Sequence, residues 1–333
     1  MINLSTGPVA ISPQVMKTLQ EAPISHRSPA FKRLYQQTTE FLNEAFQVRQ
    51  TYLLTGSGTL ANEVMLQEIK NKNEKGLILG NGEFGNRLIE QARRHQLQFD
   101  TYDVEWGEKF DPEEIKKRLE TDVVRWILFC HCETSTGVIN DLQAIITLAK
   151  SFNVACFADC MSTVGTVPVN LSGVSMATAS SGKGLASVPG LAIIFSNIEQ
   201  NEKKEGPVYL DLSHYAKNDG IPFTISSNLV KALSISIQQK LRGPQFEFIQ
   251  YYGEQIFTLL NKKEMVPFSN ADTKVFTIVQ PGQSIMHFTR KMKENKLLVS
   301  SESEYLKKRK WCQLAGFGYY QEKELDYVLK VLS

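Results

Sequence analysis

Over the first two thirds of the chain, short apolar runs closed by turns alternate with stretches whose apolar residues fall three or four apart. That rhythm predicts strands and amphipathic helices in turn. Tyr52-Leu53-Leu54 reads as a strand, Thr55 to Gly58 as a turn, and Leu60, Val64, Met65 and Ile69 as one face of a helix. The same succession follows in "GLILGN" (76–81) with a helix over 85–95, and in "WILFCHCE" (126–133) with a helix over 141–151. "VACFADC" (154–160) and "GLAIIFS" (190–196) add two further buried strands. Before them, Phe31, Leu34, Tyr35, Phe41, Leu42 and Phe46 mark an amphipathic helix over 28–46.

Strands alternating with helices imply an α/β fold, a mostly parallel sheet sandwiched by helices. Ligands of such sheets sit at the carboxyl ends of the strands. The loops after Leu54, Gly80, Glu133, Asp159 and Ser181 are therefore expected to line one crevice. Beyond about residue 225 the rhythm changes: "NLVKALSISIQQKL" is helical, Arg242-Gly243-Pro244 interrupts it, and a second helix covers about 246–261. The expected organisation is an N-terminal arm (1–14), a large domain (15–240) and a smaller C-terminal α+β domain (241–333). The arm is broken by Gly7-Pro8 and Ser12-Pro13.

Charge sharpens the picture. From Ser151 to Ile198 the only formally charged residues are Asp159 and Lys183, where average usage would place about ten. A segment so depleted is interior, and buried ions are costly unless paired or used. Lys183 lies between two glycines in "SSGKGLASVPG", but Ala177 and Gly184 break the P-loop pattern. Taken alone, the lysine could be one that snorkels to water, and Asp159 one that caps a turn. Together, at the ends of neighbouring strands, they suit pyridoxal phosphate, whose aldehyde takes a lysine and whose ring nitrogen takes a carboxylate. "TGSGTLANE" supplies a glycine-containing turn into a helix, with Ser57, Gly58 and Thr59 as an anion cradle.

Other features restrict the class. Lys plus Arg number 37 against 35 Asp plus Glu, a net +2 that gives no reason to expect a nucleic-acid partner. The opening "MINLSTGPVAISPQ" lacks the basic end and apolar core of a signal peptide, and no run is long enough for a membrane span. The five cysteines, an odd number, do not suggest a disulfide framework, so a cytoplasmic protein with reduced thiols is expected. Cys130 and Cys132 flank His131; in a continuous strand the histidine faces away from both, so no metal site is expected there.

The chain resembles the class V, fold type I pyridoxal-phosphate aminotransferases, in particular the 2-aminoethylphosphonate:pyruvate and alanine:glyoxylate branch. The resemblance runs from "TGPVAISPQV" and "ISHRSPAF" through "TGSGTLANE", "NGEFGNR", "HCETSTGV", "ADCMSTVGTVPV" and "SSGKGLASVPGLAIIF" to "VYLDL" and "CQLAGFG". It implies an aminotransferase that moves an amino group from a small amine or amino acid to a 2-oxo acid through a Lys183 aldimine. In that scheme Asp159 pairs with the ring nitrogen, Phe84 stacks on the ring, Met161 packs beneath it and Thr134 lies near the ring hydroxyl. Ser57, Gly58 and Thr59 hold the phosphate. Thr224, in "GIPFTISS", completes the cup from a second subunit, which implies a homodimer with sites at the interface.

Two departures concern the substrate side. Relatives carry an arginine for the substrate carboxylate where "CQLAGFG" has Gln313, and glutamine lacks the charged, forked grip. Gly7, Arg27 and Gln313 are the candidate substrate contacts, with Arg309 and Lys310 as further cations. Gly182 stands where relatives often carry a polar side chain, so a contact is lost and room is expected. The departures keep two alternatives open: a lyase or decarboxylase using the same cofactor on a specialised amine, and a non-catalytic binding module. A cysteine desulfurase is disfavoured, because Gly182 replaces its histidine and Cys312 falls in an expected strand.

Overall fold

The structure, a computed structural model, describes residues 1–200, 205–270, 272–279 and 285–333. Its centre is a seven-stranded sheet built from β1 (Gln50–Thr55), β2 (Gly76–Gly80), β3 (Phe99–Asp103), β4 (Trp126–Cys130), β5 (Ala155–Asp159), β6 (Met176–Ser180) and β7 (Leu191–Ser196). The spatial order is β1-β7-β6-β5-β4-β2-β3, and β7 alone runs antiparallel to its neighbours. The other six strands therefore deliver their carboxyl ends to one edge, and Gly190, just before β7, joins them there.

Alternate residues of each strand feed opposite faces, as the pleat requires. Leu53, Leu77, Ile127, Phe129 and Ile193 pack under α1 (Pro29–Phe46) and the helix Leu142–Ser151. Leu54, Ile78, Leu128, Phe157 and Ile194 pack under α2 (Gly58–Lys70) and α3 (Glu83–Arg94). Both faces are covered, which is why the strands read as continuous apolar runs. Ser28 caps α1 by accepting from Phe31 N at 3.2 Å, and Pro29 opens the helix.

A separate core joins Leu4 to residues of the C-terminal third, including Phe276, Leu314, Leu325 and Val328. Its antiparallel pair is β8 (Val275–Ile278) with β9 (Cys312–Ala315). Ile2 and Asn3 pair with Leu297 and Leu298, so the N-terminal segment is anchored to this third.

The strand expected over 126–133 is shorter. β4 ends at Cys130 because Asn140 Nδ2 donates to its carbonyl at 2.8 Å, and Cys132–Glu133 pairs instead with Val138–Ile139. The alternation argument for His131 therefore does not apply, since Cys130 and Cys132 belong to different strands. His131 is buried, its Nδ1 3.9 Å from Cys160 Sγ, and desolvation lowers its pKa to about 4.

Candidate active site

At the carboxyl edge of the sheet lies a cavity of about 780 Å³. Its lining includes Ser57, Gly58 and Thr59 from the turn into α2, Phe84 from α3, Thr134, Asp159 from the end of β5, Met161 and Lys183. Gly7 and Gln313 line it as well. The lysine and aspartate that the charge pattern singled out thus face one space. Arg27 and Thr224 are exposed and lie outside the cavity of their own chain.

Asp159 is buried, and two donors hold its carboxylate: Asn62 Nδ2 reaches Oδ2 at 2.8 Å and Met161 N reaches Oδ1 at 2.9 Å. Burial pushes its pKa up, while these two donors and the nearby Lys183 pull it back. Lys183 shows the mirror image. Burial pushes its pKa down, with Asp159 opposing, and its Nζ donates to Ser162 Oγ at 3.4 Å. A desolvated amine of this kind is the form that attacks a carbonyl.

The cradle follows from local structure. Ser57 is the N-cap of α2 yet its side chain makes no capping bond, and the first N–H groups of a helix have no partner within it. The Leu60 N–H turns back to Ser57 O at 3.0 Å, which leaves those of Gly58 and Thr59 for an anion at the positive end of the helix dipole. The approach at Gly58 is close: a Cβ there would meet Met161 Sδ at 2.5 Å and push the methionine side chain aside.

Several residues of the site went unnoticed in the sequence. Glu133 is wholly buried and accepts from Phe84 N at 3.1 Å and Gly85 N at 2.9 Å, which fixes the entry to α3. Ser135 N at 3.0 Å and Ser135 Oγ at 2.5 Å donate to its other oxygen. Ser162 meets Thr134 Oγ1 at 2.6 Å, and Tyr305 OH donates to Gln313 Oε1 at 2.8 Å. Asn62 stands one helical turn beyond Gly58 within "TGSGTLANE", so an i, i+4 reading could have found it.

Gln313 is fully buried, and its amide donates to Thr134 O and, at 2.9 Å, to Thr277 Oγ1. Both amide hydrogens are thus engaged with protein groups. Arg309 stacks on Trp106, with its Cζ 3.6 Å from the ring centroid, and lies in a different pocket, while Lys310 is exposed. Gly182 is a further correction to the expected room: a Cβ there would meet Pro189 Cγ at 2.8 Å, so proline fills the space.

The family model "Aminotransferase class-V" matches residues 7–208. The chain belongs to the class-V aminotransferase family. An uncharacterized aminotransferase of Methanocaldococcus jannaschii is 31% identical over 245 residues, 69% of this chain and 63% of that protein. The L-aspartate–glyoxylate aminotransferase of Paracoccus denitrificans is 28% identical over 252 residues, 71% of this chain and 63% of that protein. The chain therefore spans less than two thirds of the length of each of these relatives. Among solved structures, an aspartate aminotransferase from Thermus thermophilus superposes with a TM-score of 0.88 at 25% identity, covering 100% of this chain and 99% of that one. The fold is thus fold type I, the architecture of pyridoxal-phosphate aminotransferases.

The residues present fit pyridoxal phosphate. A buried amine, a carboxylate held by two donors, an aromatic ring and an open helix N-terminus meet in one cavity. Lys183 Nζ already lies 5.4 Å from the Phe84 ring centroid.

Proposed function

We propose that this chain is a pyridoxal-phosphate aminotransferase, moving an amino group from a small amine or amino acid to a 2-oxo acid. The observation that carries the reading is that Lys183 and Asp159, the two charges of a depleted segment, line the same cavity as the amino end of α2. Names of relatives support the acceptor class, among them glyoxylate and pyruvate transaminases.

When bound, the cofactor supplies an aldehyde that condenses with amines and a ring that withdraws electrons from the substrate carbon. The chain supplies the rest. Ser57, Gly58 and Thr59 hold the phosphate, Asp159 holds a proton on the ring nitrogen, and Phe84 and Met161 bound the ring. Lys183 Nζ, with its pKa lowered by burial, accepts and returns the proton at the substrate carbon. Thr134 and Ser162 offer hydroxyls beside it.

The active species in this reading is a cytoplasmic homodimer, with Thr224 of one protomer completing the cradle of its partner. The exposure of Thr224 and the five free, buried cysteines fit that reading. The division into arm (1–14), large domain (15–240) and small domain (241–333) belongs to it too, with Leu4 tying the arm to the small domain.

One observation favours a second reading. Gln313, with its amide engaged, gives no grip on a substrate carboxylate, as suits a lyase or decarboxylase acting on a specialised amine. A donor screen on the loaded protein, followed by the cofactor's visible spectrum and by product analysis, separates the two. Amino transfer predicts loss of the visible band with each donor turnover and its return on adding a 2-oxo acid. Release of ammonia or carbon dioxide without that cycle would overturn it in favour of the second reading.

A further inference from the structure

A 2-oxo acid brings a carboxylate next to its reacting carbon, and that anion needs a partner inside the cavity. Gln313 does not provide one. Both of its amide hydrogens are engaged, and its remaining polar atom, Oε1, is an acceptor that would repel a carboxylate.

Among the described residues, the charged side chains lining the cavity are Arg87, Asp159, Lys183 and Glu302. Asp159 and Glu302 have the wrong sign, and Glu302 is paired with Lys307 at 3.2 Å. Lys183 is the reacting amine and cannot also serve as a fixed counter-ion. Arg87 remains. It is exposed, it lies one turn after Phe84 on α3, and no carboxylate pairs with it among the described residues. Its Cζ lies 4.7 Å from the centroid of the Phe84 ring, so an aromatic face restrains a side chain that would otherwise be mobile.

We propose that Arg87 is the anchor for the carboxylate of the acceptor, doing from α3 what an arginine at position 313 would do from β9. The inference rests on the aminotransferase reading for the identity of its ligand as a small 2-oxo acid. The anchor itself needs only a carboxylate. A forked guanidinium above the ring presents two parallel donors, the geometry that carboxylates take best.

The test uses inert ligands, so that it does not depend on turnover. Cofactor-loaded wild type and the variants Arg87→Met and Arg87→Lys are titrated by calorimetry with propionate and with its neutral isostere propionamide. Arg87 is exposed, so the variants are expected to fold, and a thermal melt confirms it. Wild type should prefer propionate, and Arg87→Met should lose that preference through a weakening of propionate binding by about 10–100-fold. Arg87→Lys should keep part of it, as a point charge without the fork. A wild type with no preference for propionate, or an Arg87→Met variant that keeps the full preference, overturns the anchor. If the preference depends on Arg87 while no donor is deaminated, the anchor stands and the aminotransferase reading fails.

Discussion

Asn62 Nδ2 donates to Asp159 Oδ2 at 2.8 Å, while Asn62 Oδ1 takes the hydroxyl of Thr178 at 2.6 Å. The amide is thus fixed by a neighbouring strand, and with Met161 N it opposes the upward push of burial on the carboxyl pKa. Asn62→Ala removes one of the two donors. Asp159 should then require a higher pH to ionise, so the acidic limb of the pH–rate profile should move to higher pH. Turnover at neutral pH should fall by about tenfold, a loss of ~1.4 kcal/mol of transition-state stabilisation. Steady-state rates across pH check this, and an unmoved acidic limb would refute the role given to Asn62.

Lys183 should be the site of covalent attachment. Borohydride reduction of the loaded wild type should add the mass of one reduced cofactor per chain, on the peptide containing Lys183. Lys183→Ala should bind the cofactor without retaining it under denaturing mass spectrometry. Retention by the variant would place the attachment elsewhere.

Glu133 accepts four hydrogen bonds, two of them from the first turn of α3. Glu133→Ala leaves those buried donors unpaired and should cost about 2–4 kcal/mol of stability by urea denaturation. The same change should loosen Phe84 and weaken cofactor affinity. A variant as stable as wild type would show that the carboxylate contributes little to the entry of α3.

Gln313 joins β9 to the loop bearing Thr134 and to Thr277 of β8. Gln313→Leu should cost about 2–4 kcal/mol, because Thr134 O and Tyr305 OH lose their partner in a dry site. Gln313→Arg puts a charge at a fully buried position and should also be destabilising. Denaturation midpoints for the two variants decide the matter.

Lys240 is buried, and its Nζ donates to Phe317 O at 2.6 Å and to Gly318 O at 3.0 Å. Burial lowers its pKa from 10.5 to about 7. Between those two values the unfolded chain binds more protons at this site than the folded one, so stability rises with pH. Below about 7 the lysine is charged in both states and the gain is absent. Wild type should therefore gain stability relative to Lys240→Met as pH climbs from about 7 towards 10.5. Equal slopes for the two proteins would show that the ammonium is not desolvated as the geometry requires.

Much of the site was legible because ions are rare in an interior: Asp159 and Lys183 stand out by the emptiness around them. The cradle at 57–59 was legible because a glycine-containing turn before a helix has one physical use for an anion. Glu133 and Arg87 were not, since nothing in a linear reading says that a carboxylate at 133 will reach the backbone of Phe84. The strand over 126–133 is shorter than its sequence suggests because its apolar character continues past Cys130, while the ladder is ended by Asn140, ten residues away. The surroundings of Gly182 are hidden for a related reason, since the residue beside it in space is Pro189, seven positions on.

That last pair constrains how the protein could change over time. A side chain added at position 182 meets the proline ring, so a change at 182 is expected to be felt first at 189.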